Sequence, residues 1–274
     1  MKIAFVVTNY NNSRYTKALL ESLSKSRNFN NLFVVIVDND SVEEDKIKLR
    51  LLKTLYVNVC ILENETNMGY FRGLNVGLEH LRNSHFDADV VIVGNNDLVF
   101  PQNFCDELVI AVSQHSDKPV IAPDLVTLDG VHQNPHVSSG ISRFRVFVWD
   151  LYYSNYYLGV LIKFLAGKLK FLSARGDEQA YRKAGFISEG YGACYILNRL
   201  FFKEFGLLDA PTFLMGEEFF LKKQLESKGY KTYYEPYIRV EHHDHATTGK
   251  IPSRKMWEIA KESHVIYKKY LKKN

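Results

Sequence analysis

Apolar stretches alternate with amphipathic stretches over the first hundred residues of the chain. The apolar runs are short and rich in β-branched residues, as expected of strands buried on both faces, and they cover residues 3–7, 32–37, 57–62 and 88–93. Between them, the spacing of apolar residues predicts helices over residues 15–24, 42–55 and 73–82. This alternation predicts an α/β fold, with a mainly parallel sheet flanked by helices.

A polar segment follows each predicted strand. The four segments are residues 8–12, 38–41, 63–69 and 95–97. Because the carboxyl ends of parallel strands meet at one edge of the sheet, where ligands of open α/β sheets bind, we expect these segments to form one crevice. The crevice lacks a GxGxxG after the first strand, and the chain has no GxxxxGK[ST], which disfavours a dinucleotide site and a P-loop.

Residues 141–175 have an unusual composition, with nine aromatic residues and six basic residues against one acidic residue, Asp150. Polar residues such as Asn155 and Lys163 interrupt the apolar character, so the segment is a poor candidate for a membrane span. Two interpretations stay open: the segment lies on a membrane surface, or it is a helical hairpin packed on the core.

The remaining pattern predicts a helix over 219–227, short strands over 230–234 and 238–242, and a C-terminal helical tail over 251–274. Its lysines, which form a solvated face or attract anionic lipid, are Lys268, Lys269, Lys272 and Lys273. We find no internal repeat and predict one domain, 1–274. It divides into a nucleotide-binding half (1–125), an acceptor and catalytic half (126–250) and the tail.

Charge and cysteine content exclude some classes of protein. The 35 basic residues nearly match the 31 acidic ones, and the net charge of +4 is too small to indicate a nucleic-acid partner. The three cysteines have no spacing typical of disulfides or zinc, and we interpret them as buried thiols of a reducing cytoplasm. The N-terminal apolar stretch is too short for a signal peptide, so we expect a cytoplasmic protein.

Three acidic positions are candidates for chemistry. Asp97 ends a predicted strand at the ligand-binding edge, where a carboxylate can hold Mg²⁺ or Mn²⁺, although an Asn-Asn-Asp sequence also makes ordinary turns. Glu217 and Glu218 precede a predicted helix. They are either favoured there by the helix dipole or act as a general base whose pKa is tuned by its neighbour.

Residues 241–245 combine two acids with three histidines, His242, His243 and His245, and they follow a predicted strand. Alternation along a strand places His243 and His245 on one face and His242 on the other, so a zinc site would need further ligands from elsewhere. A single histidine that joins Asp97 on one cation is the simpler arrangement.

Seven segments together resemble a known family. They are VVTNYNN (6–12), VDNDS (37–41), NMGYFRGLNVG (67–77), GNNDLVF (94–100), GYGACYILNR (190–199), GLLDAPTFLMGEEFFLKKQLESKGYKTYYEP (206–236) and VEHHDHATTG (240–249). In this order they resemble the family 2 glycosyltransferases of the Rossmann-like GT-A fold, and among them the bacterial rhamnosyl- and galactosyl-type transferases that build cell-surface polysaccharides. The resemblance covers residues 1–250 and is weakest over 130–180.

The resemblance implies roles for individual residues. Those that would bind or shape the donor-nucleotide site are Thr8, Tyr10, Asp38, Asn39, Asn67, Gly69, Arg72, Gly73, Asn75, Asn95 and Asn96. The DxD metal motif of the family would be Asn95-Asn96-Asp97, which leaves Asp97 as the main ligand of Mn²⁺ or Mg²⁺, joined by diphosphate oxygens and by His242. The acidic pair of the family would place the base on Glu218, with Glu217 as its support.

The implied function is an inverting transfer of a sugar from a UDP- or dTDP-linked donor. The acceptor would be a hydroxyl of a glycan, or of a glycan carried on lipid, which would bring 141–175 and the lysine-rich tail to the inner face of the membrane. Two alternatives are a nucleotidyltransferase and a non-catalytic carbohydrate- or lipid-binding module. The first is disfavoured because TNYNN is not a glycine-rich phosphate loop.

Overall fold

The computed structural model describes residues 1–136, 142–168, 180–243 and 253–271. Several sequence predictions fall outside these described residues. They concern residues 141 and 169–175 of the aromatic segment, His245 beside the candidate metal site, and Lys272 and Lys273 of the tail.

The first half of the chain alternates strands and helices. Its elements are β1 (Ile3–Asn9), α1 (Ser13–Ser24), β2 (Leu32–Asp38), α2 (Glu43–Leu55), β3 (Val59–Glu63), α3 (Tyr70–Asn83), β4 (Val90–Asn95), β5 (Leu98–Val99), α4 (Phe104–Gln114) and β6 (Val120–Thr127). The predicted order of β1 to β4 and α1 to α3 is confirmed, whereas α4 and β6 were not predicted.

The second half begins with two helices. Its elements are α5 (Arg143–Ser154), α6 (Tyr156–Lys168), β7 (Gly185–Ile187), β8 (Cys194–Asn198), α7 (Arg199–Glu204), α8 (Glu217–Glu226), β9 (Thr232–His242) and α9 (Arg254–Leu271). The prediction of two separate strands over 230–234 and 238–242 was wrong, because β9 runs through both. The predicted break falls where the register against β6 shifts, between Pro123 and Asp124.

The described strands form one mixed sheet in the order β3-β2-β1-β4-β8-β6-β9-β5, and β7 pairs with β9. The pairs β1–β2, β1–β4, β2–β3 and β6–β9 are parallel, whereas β8 runs antiparallel to both β4 and β6. The predicted mainly parallel sheet with helices on its faces is therefore confirmed.

Two apolar layers cover the two faces of the sheet. In β1, Ile3, Phe5 and Val7 lie in the layer with α1, α2 and α4. Ala4 and Val6 belong to the opposite layer with α3, α7 and α8. Since alternate residues of a strand point to opposite faces, burial of both faces explains the unbroken apolar run in the sequence.

The described part of residues 141–175 is a helical hairpin, α5–α6, and its inner side packs on α9. The ring of Trp149 meets that of Tyr267 edge-on, and the indole nitrogen of Trp257 donates to the Tyr152 carbonyl at 3.2 Å. Within the ranges that the structure describes, no helix has both the length and the apolar character needed to cross a bilayer. Of the three free cysteines, Cys105 and Cys194 are buried as predicted, but Cys60 is only partly buried.

Candidate functional site

A cavity of about 210 Å³ opens at the carboxyl ends of β1, β2 and β4. The residues that line it are Thr8, Asn9, Tyr10, Asn12, Asn39, Asn95, Asn96 and Asp97. The polar segments after β1, β2 and β4 thus share one crevice, as predicted for this sheet edge. None of the lining residues comes from the fourth predicted segment, residues 63–69. Six of the lining residues are predicted donor or metal residues, and the other two, Asn9 and Asn12, were not selected from the sequence.

Asn9 organises the floor of this cavity. Its side chain is buried, and its amide nitrogen donates to Asp38 at 2.9 Å and to Asp45 at 2.9 Å. The Oδ1 atom of Asn9 accepts from Thr16 at 2.9 Å and from Asn96 at 3.0 Å. These hydrogen bonds tie together the segments after β1, β2 and β4, and so fix the shape of the pocket.

Asp38 does not face the cavity, although it was predicted to line the nucleotide pocket. Its side chain is fully buried, its Oδ1 accepts from Asn9 and from the Ser41 hydroxyl, and its Oδ2 accepts from the Ser41 amide. Both carboxylate oxygens are therefore engaged by the chain itself. In this structure Asp38 supports the pocket wall from behind.

Asn39 and Asn67 connect the cavity to the start of α3. The Asn39 amide donates to the Gly69 carbonyl at 2.8 Å, and Asn67 accepts from the Gly69 amide at 2.9 Å. Gly69 has φ of +82°, and a Cβ atom there would lie 2.0 Å from the Phe213 carbonyl oxygen. Only glycine fits this close approach between the pocket loop and the segment before α8.

Arg72 and Asn75 have partners other than those predicted, and neither lines the cavity. The guanidinium of Arg72 donates to the carbonyls of Ala210 and Pro211, at 3.0 and 3.2 Å. Asn75 donates to the Leu208 carbonyl and accepts from its amide. Both side chains therefore hold the segment that precedes α8. Their role in nucleotide binding stays a prediction.

Asp97 and His242 meet at the rim of the cavity. The strands β5 and β9 pair Leu98 with His242, which brings the His242 Nε2 atom to 3.2 Å from Asp97 Oδ1. The Nδ1 atom of His242 lies 2.7 Å from the side-chain oxygen of Gln133. Since an amide oxygen only accepts, this amide orientation places a proton on Nδ1 and leaves a lone pair on Nε2 in the neutral ring.

This arrangement fits a divalent cation. Asp97 Oδ1 is buried and accepts no hydrogen bond from any described residue. It faces the lone pair on His242 Nε2, so two electron-pair donors lie next to each other. A divalent cation such as Mn²⁺ or Mg²⁺ would satisfy both atoms. The described residues contain no cluster of three protein ligands, so a bound ligand and water would have to complete the coordination.

His243 points to a different partner. Its Nε2 atom lies 2.6 Å from Glu241, whereas its backbone amide donates to the Asp97 carbonyl at 2.8 Å. Of these two adjacent histidines, His242 is therefore the one whose ring meets Asp97.

Glu217 and Glu218 begin α8, after Gly216 in the left-handed region at φ of +90°. The carboxylate of Glu217 accepts from the Met215 amide at 2.9 Å, and that of Glu218 accepts from the Gly192 amide at 3.2 Å. Burial and the charge of Glu218 raise the pKa of Glu217, and burial also raises the pKa of Glu218. A pair with raised pKa values is well suited to accept a proton.

Tyr70 connects the two ends of the site, and it was not selected from the sequence. Its hydroxyl donates to the Gly192 carbonyl at 2.7 Å, on the residue whose amide holds Glu218. Burial raises the pKa of Tyr70. The hydrogen bond to Gly192 links the start of α3 to the residue whose amide holds Glu218.

Comparison with solved structures shows which fold the chain has. The chain superposes on GalNAc-T7 with UDP, GalNAc and Mn²⁺ (TM-score 0.59, 17% identity, 89% of this chain and 44% of that one). It superposes also on the mannosyltransferase PcManGT from Pyrobaculum calidifontis in complex with GDP-Man and Mn²⁺ (0.57, 13%, 97% and 62%). S. aureus TarS 1-349 in complex with UDP-GlcNAc is similar too (0.56, 13%, 97% and 67%).

These likenesses establish the GT-A glycosyltransferase fold. The chain spans only 44% to 62% of the first two of these structures. No curated protein sequence matches it. The sequence profile of Glycosyl transferase family 2 matches residues 4–166, which is more than half of the chain. The protein therefore belongs to glycosyl transferase family 2.

Proposed function

We propose that this protein is a metal-dependent, inverting glycosyltransferase that uses a nucleotide diphosphate sugar. The observation that carries the proposal is the meeting of Asp97 and His242 at the cavity rim, where a buried carboxylate oxygen lacks a hydrogen-bond partner among the described residues. Family membership supports the reaction class, and neighbours crystallised with Mn²⁺ support a divalent cation.

The donor lies with its nucleotide in the cavity and its diphosphate toward Asp97. Thr8, Tyr10 and Asn39 line the nucleotide end, with UDP and dTDP as the candidate carriers. A divalent cation would be held by Asp97 and His242, and it would supply positive charge that stabilises the leaving diphosphate.

Glu218 acts on the acceptor. Its carboxylate accepts the proton of an acceptor hydroxyl, and the oxygen forms a bond to the anomeric carbon of the donor sugar. The bond from that carbon to the diphosphate breaks, and the nucleoside diphosphate leaves with the electron pair. Attack opposite to the leaving group inverts the anomeric configuration, and Glu217 supports the base through its position beside Glu218.

We propose a chemical class for each substrate. The sugar is a hexose or deoxyhexose, as in the rhamnosyl- and galactosyl-type transferases that the motifs resemble. The acceptor is a glycan hydroxyl, free or lipid-linked, in cell-surface polysaccharide synthesis. We place the enzyme in the cytoplasm, where the free cysteines stay reduced and nucleotide sugars are made.

Isothermal calorimetry with UDP and dTDP, with and without Mn²⁺, tests the proposal. We expect Mn²⁺ to tighten binding of one nucleotide by about tenfold or more, since both ligands share the site. Asp97→Ala should abolish this enhancement. His243→Ala is the matched control, because its ring faces Glu241, and it should retain the enhancement.

An unchanged Mn²⁺ effect in Asp97→Ala would show that the cation lies elsewhere. If neither nucleotide binds with or without Mn²⁺, the binding-module alternative gains support instead.

A further inference from the structure

The α5–α6 hairpin has an apolar side that faces solvent. On α5, residues Phe144, Phe147 and Leu151 follow the spacing of one helix face, and Phe144 is 74% exposed. On α6, the exposed apolar residues include Tyr157, Leu158, Leu161 and Leu165. We name these seven side chains the hairpin apolar surface. A cluster of large apolar side chains on a protein surface usually marks an interaction site.

The opposite side of α5 is occupied by the protein itself. Trp149 contacts the rings of Phe219 and Tyr267, and Tyr153 stacks on His264 of α9. The hairpin is thus fixed to the body through one side. The other side is therefore exposed although the hairpin packs against the rest of the protein.

Positive charge accompanies the apolar side chains. The two helices carry four basic residues and one acidic residue, Asp150. That acid already pairs with His264 at 2.9 Å and with Lys268 at 2.6 Å. Arg143 and Arg145 are exposed in the first turn of α5, next to Phe144. The sequence of the two helices therefore carries a net positive charge.

We propose that the hairpin apolar surface docks on an anionic lipid bilayer, with aromatic and leucine side chains at the headgroup boundary and arginines at lipid phosphates. Apolar side chains flanked by basic residues are the features that hold a helix in a membrane interface. A second copy of the chain is the less suitable occupant. A symmetric dimer through this surface would place the same basic residues opposite one another.

Docking in this way orients the site of the proposed glycosyl transfer, on which this inference builds. Trp149 and Tyr267 both contact Phe219, the residue directly after Glu218. A Cβ atom on Gly216 would lie 2.6 Å from the Tyr267 ring, so α9 also fits closely against the start of α8. The hairpin that would dock on the bilayer therefore packs beside the start of α8, next to the proposed general base, which suits a membrane-borne acceptor.

Vesicle flotation tests the docking. Wild-type protein is mixed at low salt with phosphatidylcholine vesicles, with or without phosphatidylglycerol. We expect binding that requires the anionic lipid and falls as salt is raised. Phe144→Ser with Phe147→Ser should weaken binding by about tenfold or more. The matched control is Leu55→Ser with Val57→Ser, which changes two apolar side chains that are also exposed but lie outside the hairpin.

Wild type that stays unbound on anionic vesicles at low salt overturns the inference, and so does equal binding by the hairpin double variant. A concentration-dependent dimer that the hairpin variant abolishes, without vesicle binding, would assign the surface to a second copy. Circular dichroism and Mn²⁺-dependent nucleotide binding are measured on the same samples. If the wild-type protein does not bind nucleotide, the proposed function is contradicted. If it binds nucleotide but does not float with anionic vesicles, only the docking is contradicted.

Discussion

Replacement of Glu218 by glutamine separates a catalytic role from a structural one. If the side chain only complements the helix dipole at the start of α8, its loss should cost about 0.3 to 1 kcal/mol of stability and leave turnover intact. The structure favours a different outcome. Glutamine retains an oxygen that can accept from the Gly192 amide, and it removes a partly buried charge beside the buried Glu217.

We therefore expect Glu218→Gln to keep or slightly raise the free energy of unfolding. As the general base, its loss should slow the chemical step by about a hundredfold or more, which corresponds to roughly 3 kcal/mol of activation free energy. Donor affinity should change little, because the cavity that takes the nucleotide is lined by residues of the first half.

The assay is single-turnover release of nucleoside diphosphate, with a supplied sugar or water as acceptor, measured beside calorimetric donor affinity. Glu218→Asp serves as a second variant, because it keeps the carboxylate but shortens its reach by one methylene. A fully active Glu218→Gln protein with normal donor affinity would refute the assignment. A protein that loses donor affinity as much as rate would show that the residue acts in binding instead.

Two further predictions concern neighbouring residues. Gln133→Leu removes the side-chain oxygen that fixes the His242 ring. We expect about 10- to 100-fold weaker Mn²⁺ binding, with little change in the nucleotide affinity measured without metal. Equal Mn²⁺ affinity would contradict the role of Gln133. Burial and the charge of the neighbouring Glu218 raise the pKa of Glu217, so the folded state keeps a proton at pH values where the unfolded chain has lost it. Stability therefore falls as pH rises above the ordinary carboxyl range, and Glu217→Gln should stabilise the protein at neutral pH but hardly near pH 4, as measured by urea unfolding with metal chelated.

Strong local patterns made part of the fold predictable from the sequence. The run Ile3–Asn9 is apolar because both of its faces are buried, and helix α3 shows its amphipathic spacing clearly. Strand β8 has only five residues, and its apolar run could belong to a strand or a buried helix. The break predicted within β9 is a register shift, which depends on its partner β6.

In the candidate site, too, some residues could be selected from the local sequence and others could not. Asp97 could be selected because it follows a buried strand, but the choice of His242 over His243 depends on the pairing of β5 with β9. Arg72 and Asn75 resemble donor-site residues in sequence, yet their partners are backbone atoms more than a hundred residues away. Long-range contacts of this kind leave no trace in local spacing.

The position of β8 in the sheet has a consequence for how the chain assembles. β8 lies between β4 and β6, two strands that precede it in sequence and do not touch each other. During synthesis, β1 to β4 can pair as soon as they emerge, but the outer edge of β4 stays open until residue 198 is available. An unpaired, apolar strand edge invites contact with other chains, so the nascent protein is most prone to aggregation in that interval. The insertion of β8 between two strands that precede it in the sequence is a slow, non-local stage of folding.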